Sequence, residues 1–227
     1  MIQERLKELR AQMQERGIDI YIVPTSDFHQ SEYVGEYFKA RKYMTGFTGS
    51  AGTAVITKEE AGLWTDGRYF IQAEKQLEGS TVKLFKMGEE GVPKVEEYVK
   101  DHLTEGSCIG FDGRVMDAKS GEKYAKMAEE KKAALYVKED LVGNIWKDRP
   151  QLPANKVWIL EDAYAGRSMA DKIADVRTQM QKEGADIHIL SSLYDIAWLL
   201  NLRGGDIDHV PVFLSFVSIE KEQILSL

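Results

Sequence analysis

The chain has 227 residues, of which 43% are hydrophobic and 30% are charged, and its formal net charge is −7. This composition is typical of one globular domain or two adjoining domains, and it excludes disordered and fibrous proteins. The negative net charge argues against a nucleic-acid partner, and no apolar run reaches the roughly 20 residues of a spanning helix, so we expect no membrane segment.

The chain opens with a predicted helix and a buried strand. Apolar residues recur at helical spacing over residues 2–13, Gly17 ends the pattern, and residues 18–23 form a short apolar run closed by Pro24. Further strands are predicted at residues 52–57, 61–64, 82–85, 108–111 and 134–137, and further helices at 67–77, 94–102 and 117–131. This alternation predicts an α/β domain over residues 1–150, which ends in a polar stretch containing two prolines.

The opening helix and strand return later in the chain. Helical spacing recurs over residues 169–180, Gly184 ends it, and residues 186–190 read as a strand. A shift of 167 positions gives eight identities over the thirteen positions 10–22, which indicates an internal duplication. We place the second copy at residues 155–227, with strands at 213–217 and 223–227. It lacks the later elements of the first copy, so we expect a truncated second domain; a naturally small subdomain is the alternative.

The sequence shows no strong motif for binding a metal ion or a cofactor. The four histidines show no HExxH spacing, and Cys108 is the single cysteine, so neither a zinc finger nor a disulfide framework is expected. His209 lies beside Asp206 and Asp208, where a solvated acidic turn is favoured over a cation site. We predict no metal site and no cofactor in this chain. The charged start lacks the apolar core of a secretory signal, which favours the cytoplasm.

Two segments at predicted strand ends are candidates for ligand binding. His29 follows the first strand at its carboxyl end, where α/β sheets usually bind ligands, and both a structural and a binding role stay open. The glycine-rich residues 46–53 lack the lysine of a phosphate loop and lead into a strand. They therefore predict a tight connection, not a nucleotide site.

The most informative stretch is residues 64–70, where a strand end is followed at once by a helix start. Asp66 suits the N-cap, because its carboxylate can accept unpaired amide protons of the first turn. Arg68 then projects at the sheet end, where a guanidinium can bind a carboxylate or carbonyls of a ligand. An internal ion pair is an equally open interpretation. Arg68 is thus the main substrate-binding candidate, with Asp66 and His29 as further ones.

Five motifs together resemble one known family. They are HQSEY at residues 29–33, GFTGSAGTAVIT at 46–57, WTDGRYFIQA at 64–73, IWKDRP at 145–150 and IAWLLNLRGGDI at 196–207. In this order they resemble the N-terminal region of the cytosolic, three-domain type of Xaa-Pro aminopeptidase, in the creatinase/prolidase or pita-bread metallopeptidase family. The resemblance covers the first domain and about half of the second.

The resemblance carries several implications. It implies two related creatinase N-terminal-like domains, each a mixed sheet flanked by helices, before a C-terminal catalytic domain that this chain lacks. In the family that domain holds two metal ions, usually manganese, through two Asp, one His and two Glu, and removes the N-terminal residue that precedes proline. This chain would contain no catalytic residue and would contribute a wall of the substrate channel and dimer assembly, with Arg68 at the position of a peptide-contacting arginine. The alternative is a stand-alone, non-catalytic module of the same fold that binds peptides or proteins.

Overall fold

A computed structural model describes residues 1–226 of the chain. The described residues form two compact units. The first unit comprises Met1–Phe28 and Glu36–Pro150, and the second comprises His29–Gly35 together with the residues from Gln151 onward.

The first unit alternates helices and strands as the apolar pattern predicts. In chain order its elements are α1 Ile2–Glu15, β1 Ile20–Pro24, α2 Ala40–Thr45, β2 Thr53–Thr57, β3 Ala61–Thr65, α3 Phe70–Leu77, β4 Lys83–Lys86, α4 Val95–His102, β5 Cys108–Phe111, α5 Ala118–Glu130, β6 Ala134–Tyr136 and α6 Leu141–Ile145. Most boundaries lie within one or two residues of the predicted ones. The short helices α2 and α6 were not predicted, because neither is long enough to show a repeating apolar pattern.

The six strands form one mixed sheet in the order β4-β3-β2-β1-β5-β6. Strand β2 is antiparallel to both of its neighbours, and the other neighbouring pairs are parallel. Strands β1, β3, β4, β5 and β6 therefore end at the same edge of the sheet, which we name the carboxyl rim. Loops that follow these strands place their side chains along this rim.

Helices cover both faces of the sheet and confirm the predicted α/β fold. Helices α1, α2, α3 and α6 bury one face, with Leu9 of α1 and Tyr21 of β1 in its core. Helices α4 and α5 bury the other face, where Ile20 and Ile22 of β1 are each 1% exposed. Burial of one such aliphatic side chain contributes about 1.5–3 kcal/mol.

The second unit is smaller. Its elements are β7 Trp158–Ile159, α7 Asp162–Ala165, α8 Met169–Glu183, β8 Ile187–Leu190, α9 Leu193–Leu199, β9 Leu202–Arg203, β10 Val217–Glu220 and β11 Ile224–Ser226. Strands β11, β10 and β8 form an antiparallel sheet in that order, and β7 pairs with β9. Helices α8 and α9 pack on one face of this sheet through Ile173, Ile196 and Ile219.

The two units share their opening geometry, as the sequence repeat predicts. Helices α1 and α8 begin 167 positions apart, and so do strands β1 and β8. Gly17 and Gly184 follow these helices with φ of 66° and 67°, a left-handed conformation that favours glycine. The Ile18 amide then donates to the Met13 carbonyl at 2.9 Å, and the Ala185 amide to the Met180 carbonyl at 2.8 Å.

The units differ in how the second face of the sheet is covered. Ile22 in β1 lies under α4 and α5, whereas Ile189, its counterpart in β8, is 71% exposed. Within residues 151–226 no helix packs on this face of the second sheet.

One predicted strand of the second unit is wrong. Residues 213–217 were predicted as a strand, but only Val217 belongs to one, at the start of β10. The preceding segment is tied to a loop instead, because the Leu214 amide donates to Oδ2 of Asp206 at 2.9 Å and the Asp206 amide donates to the Val212 carbonyl at 3.1 Å. The strand predicted at 223–227 appears as β11, and Leu227 lies outside the described residues.

Candidate functional site

The WTDGRYF segment ends β3 at the carboxyl rim and turns directly into a helical segment. Asp66 adopts an extended conformation and caps the short 3₁₀ turn Gly67–Tyr69, where its Oδ1 accepts a hydrogen bond from the Arg68 amide at 3.1 Å. The predicted N-cap role of Asp66 is therefore seen in the structure, and helix α3 continues from this turn.

Arg68 forms a two-point ion pair with the same carboxylate. Its Nε donates to Oδ1 of Asp66 at 2.8 Å, and its Nη2 donates to Oδ2 at 2.9 Å. The side chain nevertheless remains 69% exposed. A guanidinium has five N–H donors in a planar fork, so one edge of Arg68 is used by Asp66 and the edge formed by Nη1 and Nη2 keeps donors for another acceptor.

The internal ion pair and the binding role are therefore compatible at Arg68. The hydrogen bonds from Arg68 hold the pKa of Asp66 below its usual value, and the same bonds raise the pKa of Arg68. The Arg68 guanidinium also lies 5.2 Å from the centre of the Tyr69 ring. These contacts restrict the orientation of a side chain that would otherwise be mobile, which reduces the entropy cost of binding a ligand.

The glycine-rich loop lies next to this turn and is held from inside by Arg41. This arginine is 4% exposed. Its Nη1 donates to the Phe47 carbonyl at 2.6 Å, and its Nη2 donates to the Gly49 carbonyl. At the outer side of the loop, the Ser50 hydroxyl lies 2.7 Å from the Tyr69 hydroxyl. The loop is a tight connection, as predicted, and it joins the segment that bears Arg68.

Arg41 was not predicted as a site residue. Burial lowers its pKa to about 10, because desolvation disfavours the charged form. The Nε of Arg41 donates to the Thr25 hydroxyl at 3.0 Å, so hydroxyl and carbonyl oxygens surround the cation. In the sequence, Arg41 stands close to two other basic residues, Lys39 and Lys42, and no local signal distinguishes it from them.

His29 belongs to the second unit. Its Nδ1 lies 3.0 Å from the Ser191 carbonyl, which can only accept, so Nδ1 carries the proton. The ring packs on Phe216 with 4.4 Å between ring centroids. These contacts join the HQSEY segment to the end of β8, and a binding role for His29 stays a prediction.

In the acidic loop near His209, the Asp206 carboxylate accepts hydrogen bonds from the backbone. Oδ1 of Asp206 accepts from the Asn155 amide at 2.9 Å, and Oδ2 accepts from the Leu214 amide at 2.9 Å. The carboxylate thus joins two backbone segments, where a solvated acidic turn was expected. Across residues 1–226 no group of three or more His, Cys, Asp or Glu side chains is arranged to hold a metal ion.

None of the helices formed by residues 1–226 combines the length and the apolar character needed to cross a bilayer.

Both parts of the chain match models of known protein domains. Residues 5–138 match the model of the creatinase/prolidase N-terminal domain, and residues 148–226 match a second model with the same description. The chain is 42% identical over 228 residues to aminopeptidase P2 of Arabidopsis thaliana, covering 98% of this chain and 32% of that protein. It is 45% identical over 220 residues to a probable Xaa-Pro aminopeptidase P of Pyrenophora teres f. teres, covering 95% of this chain and 33% of that protein.

A solved structure is similar over the whole chain. It is that of an X-prolyl aminopeptidase from Caenorhabditis elegans, described as a cytosolic enzyme with a di-nuclear active site, with a TM-score of 0.93 and 32% identity. The similarity covers 100% of this chain and 38% of that one, and the chain spans about a third of the length of the curated relatives it matches. Because one family model covers more than half of its residues, this chain belongs to the creatinase/prolidase N-terminal domain family.

Proposed function

We propose that this chain is the N-terminal, non-catalytic region of a cytoplasmic, metal-dependent Xaa-Pro aminopeptidase that acts on peptides with proline at the second position. We place its two domains at residues 1–150 and 155–227, and these domains would form part of the substrate channel and support a homodimer. The observation that carries the proposal is the exposed Nη1/Nη2 edge of Arg68, held in place by Asp66 at the carboxyl rim.

The chemistry of a proline peptide suits such a donor. Proline has no amide proton, so a peptide with proline offers fewer donors than an ordinary peptide while it keeps every carbonyl acceptor. An arginine with two outward N–H groups supplies donors to those carbonyls. Tyr69, against the Arg68 guanidinium, adds an aromatic surface beside them.

The catalytic metals belong elsewhere in this proposal. Two divalent ions, with manganese as the expected metal, would activate a water molecule for attack on the scissile carbonyl. The described residues 1–226 do not fit such a centre, because no set of three or more possible ligands converges among them. We therefore assign the metals to a catalytic domain outside this sequence and assign peptide positioning to Arg68.

The proposal is tested by binding of a tripeptide to the 227-residue chain. We would titrate Ala-Pro-Ala amide into the protein labelled with ¹⁵N at arginine and follow the Nε–Hε signals. We expect the Arg68 signal to shift and expect Arg68→Gln to abolish saturable binding. Arg167→Gln is the matched control, since Arg167 is also a solvent-accessible arginine with a carboxylate partner, Asp175 at 2.7 Å. Equal binding by Arg68→Gln and the unaltered chain would remove Arg68 from the site.

Two further measurements distinguish the enzyme region from a stand-alone binding module. The chain incubated with Mn²⁺ and an Xaa-Pro peptide should release no N-terminal residue, and turnover would reveal a metal site within it. The source gene read downstream of the Leu227 codon should continue and supply two Asp, one His and two Glu in an α/β context. A stop codon at that point would favour the module.

A further inference from the structure

The turn that holds Arg68 has a second copy in the first unit. Residues 112–114 repeat the Asp-Gly-Arg sequence of residues 66–68. The second copy follows β5 as the first follows β3, and both strands end at the carboxyl rim. No part of the proposed function uses this second copy.

The two copies have the same hydrogen bonds. The Arg114 amide donates to Oδ1 of Asp112 at 3.1 Å, its Nε donates to Oδ1 at 3.0 Å, and its Nη2 donates to Oδ2 at 2.9 Å. The corresponding distances at Arg68 are 3.1, 2.8 and 2.9 Å. Arg114 is 56% exposed, so its Nη1/Nη2 edge also keeps donors for a ligand.

The surroundings of Arg114 favour a neutral acceptor. Asp140 lies 3.8 Å from Nη2 of Arg114 and forms a second ion pair with Arg149. Two arginines therefore face two carboxylates, Asp112 and Asp140, and the charges of the cluster cancel. A carboxylate gains little from a cluster without net charge, whereas a peptide carbonyl can still accept from the outward N–H groups.

The order of the strands gives the separation of the two arginines. Strands β3 and β5 are three positions apart in the sheet, with β2 and β1 between them. Neighbouring strands lie about 4.8 Å apart, so the two turns are roughly 14 Å apart along the rim. An extended peptide advances about 3.3 Å per residue and covers this distance in about four residues.

We propose that Arg114 is a second peptide-binding residue, which donates to a backbone carbonyl of an extended peptide about four residues from the one held by Arg68. This inference rests on the proposed function of Arg68 and adds a length preference to it. The Phe28 ring, 5.2 Å from the Arg114 guanidinium, provides an aromatic surface at this second position as Tyr69 does at the first.

The test compares two peptide amides on the 227-residue chain. We would titrate Ala-Pro-Ala amide and the hexapeptide Ala-Pro-Ala-Ala-Ala-Ala amide and read the Arg68 and Arg114 Nε–Hε signals separately. We expect both peptides to shift the Arg68 signal and only the hexapeptide to shift that of Arg114. The hexapeptide should bind roughly fivefold more tightly, within the range expected for one net hydrogen bond. Arg114→Lys and Arg114→Gln should each reduce this advantage, with Arg167→Gln as the unaffected control.

The outcomes separate the two proposals. If Arg68 responds to both peptides and Arg114 to neither, the inference is wrong and the role of Arg68 stands. If neither arginine signal shifts with either peptide, both the proposed function and this inference are wrong. A hexapeptide with a free carboxyl terminus should behave as the amide does; a shift of the Arg114 signal with the free carboxylate alone would overturn the carbonyl assignment. The signals of the unaltered chain decide these cases even if an Arg114 variant folds poorly.

Discussion

Arg10 and Arg177, 167 positions apart, make the same hydrogen bond in the two units. The Nε of Arg10 donates to the carbonyl of Thr57, the last residue of β2, at 2.9 Å. The Nε of Arg177 donates to the carbonyl of Glu220, the last residue of β10, also at 2.9 Å. Each arginine thus joins the first long helix of its unit to a strand hairpin, and the sequence repeat corresponds to a repeated tertiary contact.

The repeated contact predicts that each arginine stabilises its own unit. Arg10→Ala should destabilise the first unit and Arg177→Ala the second, each by about 1.5–3 kcal/mol, because a hydrogen bond to a charged group is lost. Hydrogen exchange read by mass spectrometry assigns the effect to a unit. Gln14→Ala and Gln181→Ala are matched controls at exposed positions of the same helices. Faster exchange in both units from either arginine variant would contradict the prediction.

A second matched pair tests the difference in sheet coverage. Ile22 is 1% exposed and its counterpart Ile189 is 71% exposed. Ile22→Lys places an unpaired charge in the core and should unfold the first unit, whereas Ile189→Lys should change the free energy of unfolding by at most about 0.5 kcal/mol. Thermal denaturation followed by circular dichroism measures both. A comparable loss of stability in the two variants would show that Ile189 is covered in solution.

The repeat was predictable from sequence because its signals are local. Helical spacing, a glycine at a left-handed position and a β-rich apolar run all lie within about 20 residues. The order of the six strands could not be predicted, since it depends on pairing between distant segments. The strand predicted at residues 213–217 was wrong for a related reason, because the tertiary contact from Asp206 to the Leu214 amide holds that segment away from the ladder.

The sequence predicted the residues of one Asp-Gly-Arg turn in the candidate site, but it did not predict the residues around that turn. Asp66 and Arg68 stand at a visible junction between a strand and a helix, so their chemistry could be read from spacing. Arg41 could not be found in that way, because its burial results from the path of the glycine-rich loop around it. Arg114 stands in the same sequence pattern as Arg68, and the sheet topology is what places both at one rim.

The glycines of the two Asp-Gly-Arg turns should respond differently to substitution. A Cβ on Gly113 would lie 2.9 Å from the Val137 carbonyl oxygen, a backbone atom, whereas a Cβ on Gly67 would have its nearest neighbour at 3.9 Å. Gly113→Ala should therefore destabilise the first unit by about 1–3 kcal/mol, the range for overpacking, and Gly67→Ala should be tolerated. Urea denaturation of the two variants measures the difference. Equal urea midpoints for Gly113→Ala and Gly67→Ala would show that the loop at Val137 can move without a loss of stability.

The Asp66–Arg68 pair predicts a pH dependence of peptide binding. Arg68 lowers the pKa of Asp66 below its usual 3.8, so the ionised pair is complete above that value and is lost as the pH falls through the lowered pKa. Binding of Ala-Pro-Ala amide should be constant from pH 8 to 5 and weaken only below about pH 4. Asp66→Asn should bind the peptide more weakly at neutral pH, and its affinity should no longer fall below about pH 4. A midpoint above pH 5 in the unaltered chain would assign the titration to another group.

Arg41 should determine the rigidity of the glycine-rich loop next to that pair. In Arg41→Lys the charge remains, but one ammonium group replaces a planar fork that reaches the carbonyls of Phe47 and Gly49 together. We expect a loss of about 1–3 kcal/mol in the free energy of unfolding, because buried carbonyls lose a charged donor.

Amide hydrogen exchange over residues 46–52 should also be faster in Arg41→Lys than in the unaltered chain. Lys42→Gln is the control at the neighbouring, half-exposed position, where the ammonium lies 3.8 Å from Glu36. If amide exchange over the loop is the same in Arg41→Lys as in Lys42→Gln, the hydrogen bonds from Arg41 do not determine the rigidity of the loop. If the acceleration is seen, weaker binding of the tripeptide by Arg41→Lys would further show that the loop, through Ser50 and Tyr69, orients Arg68.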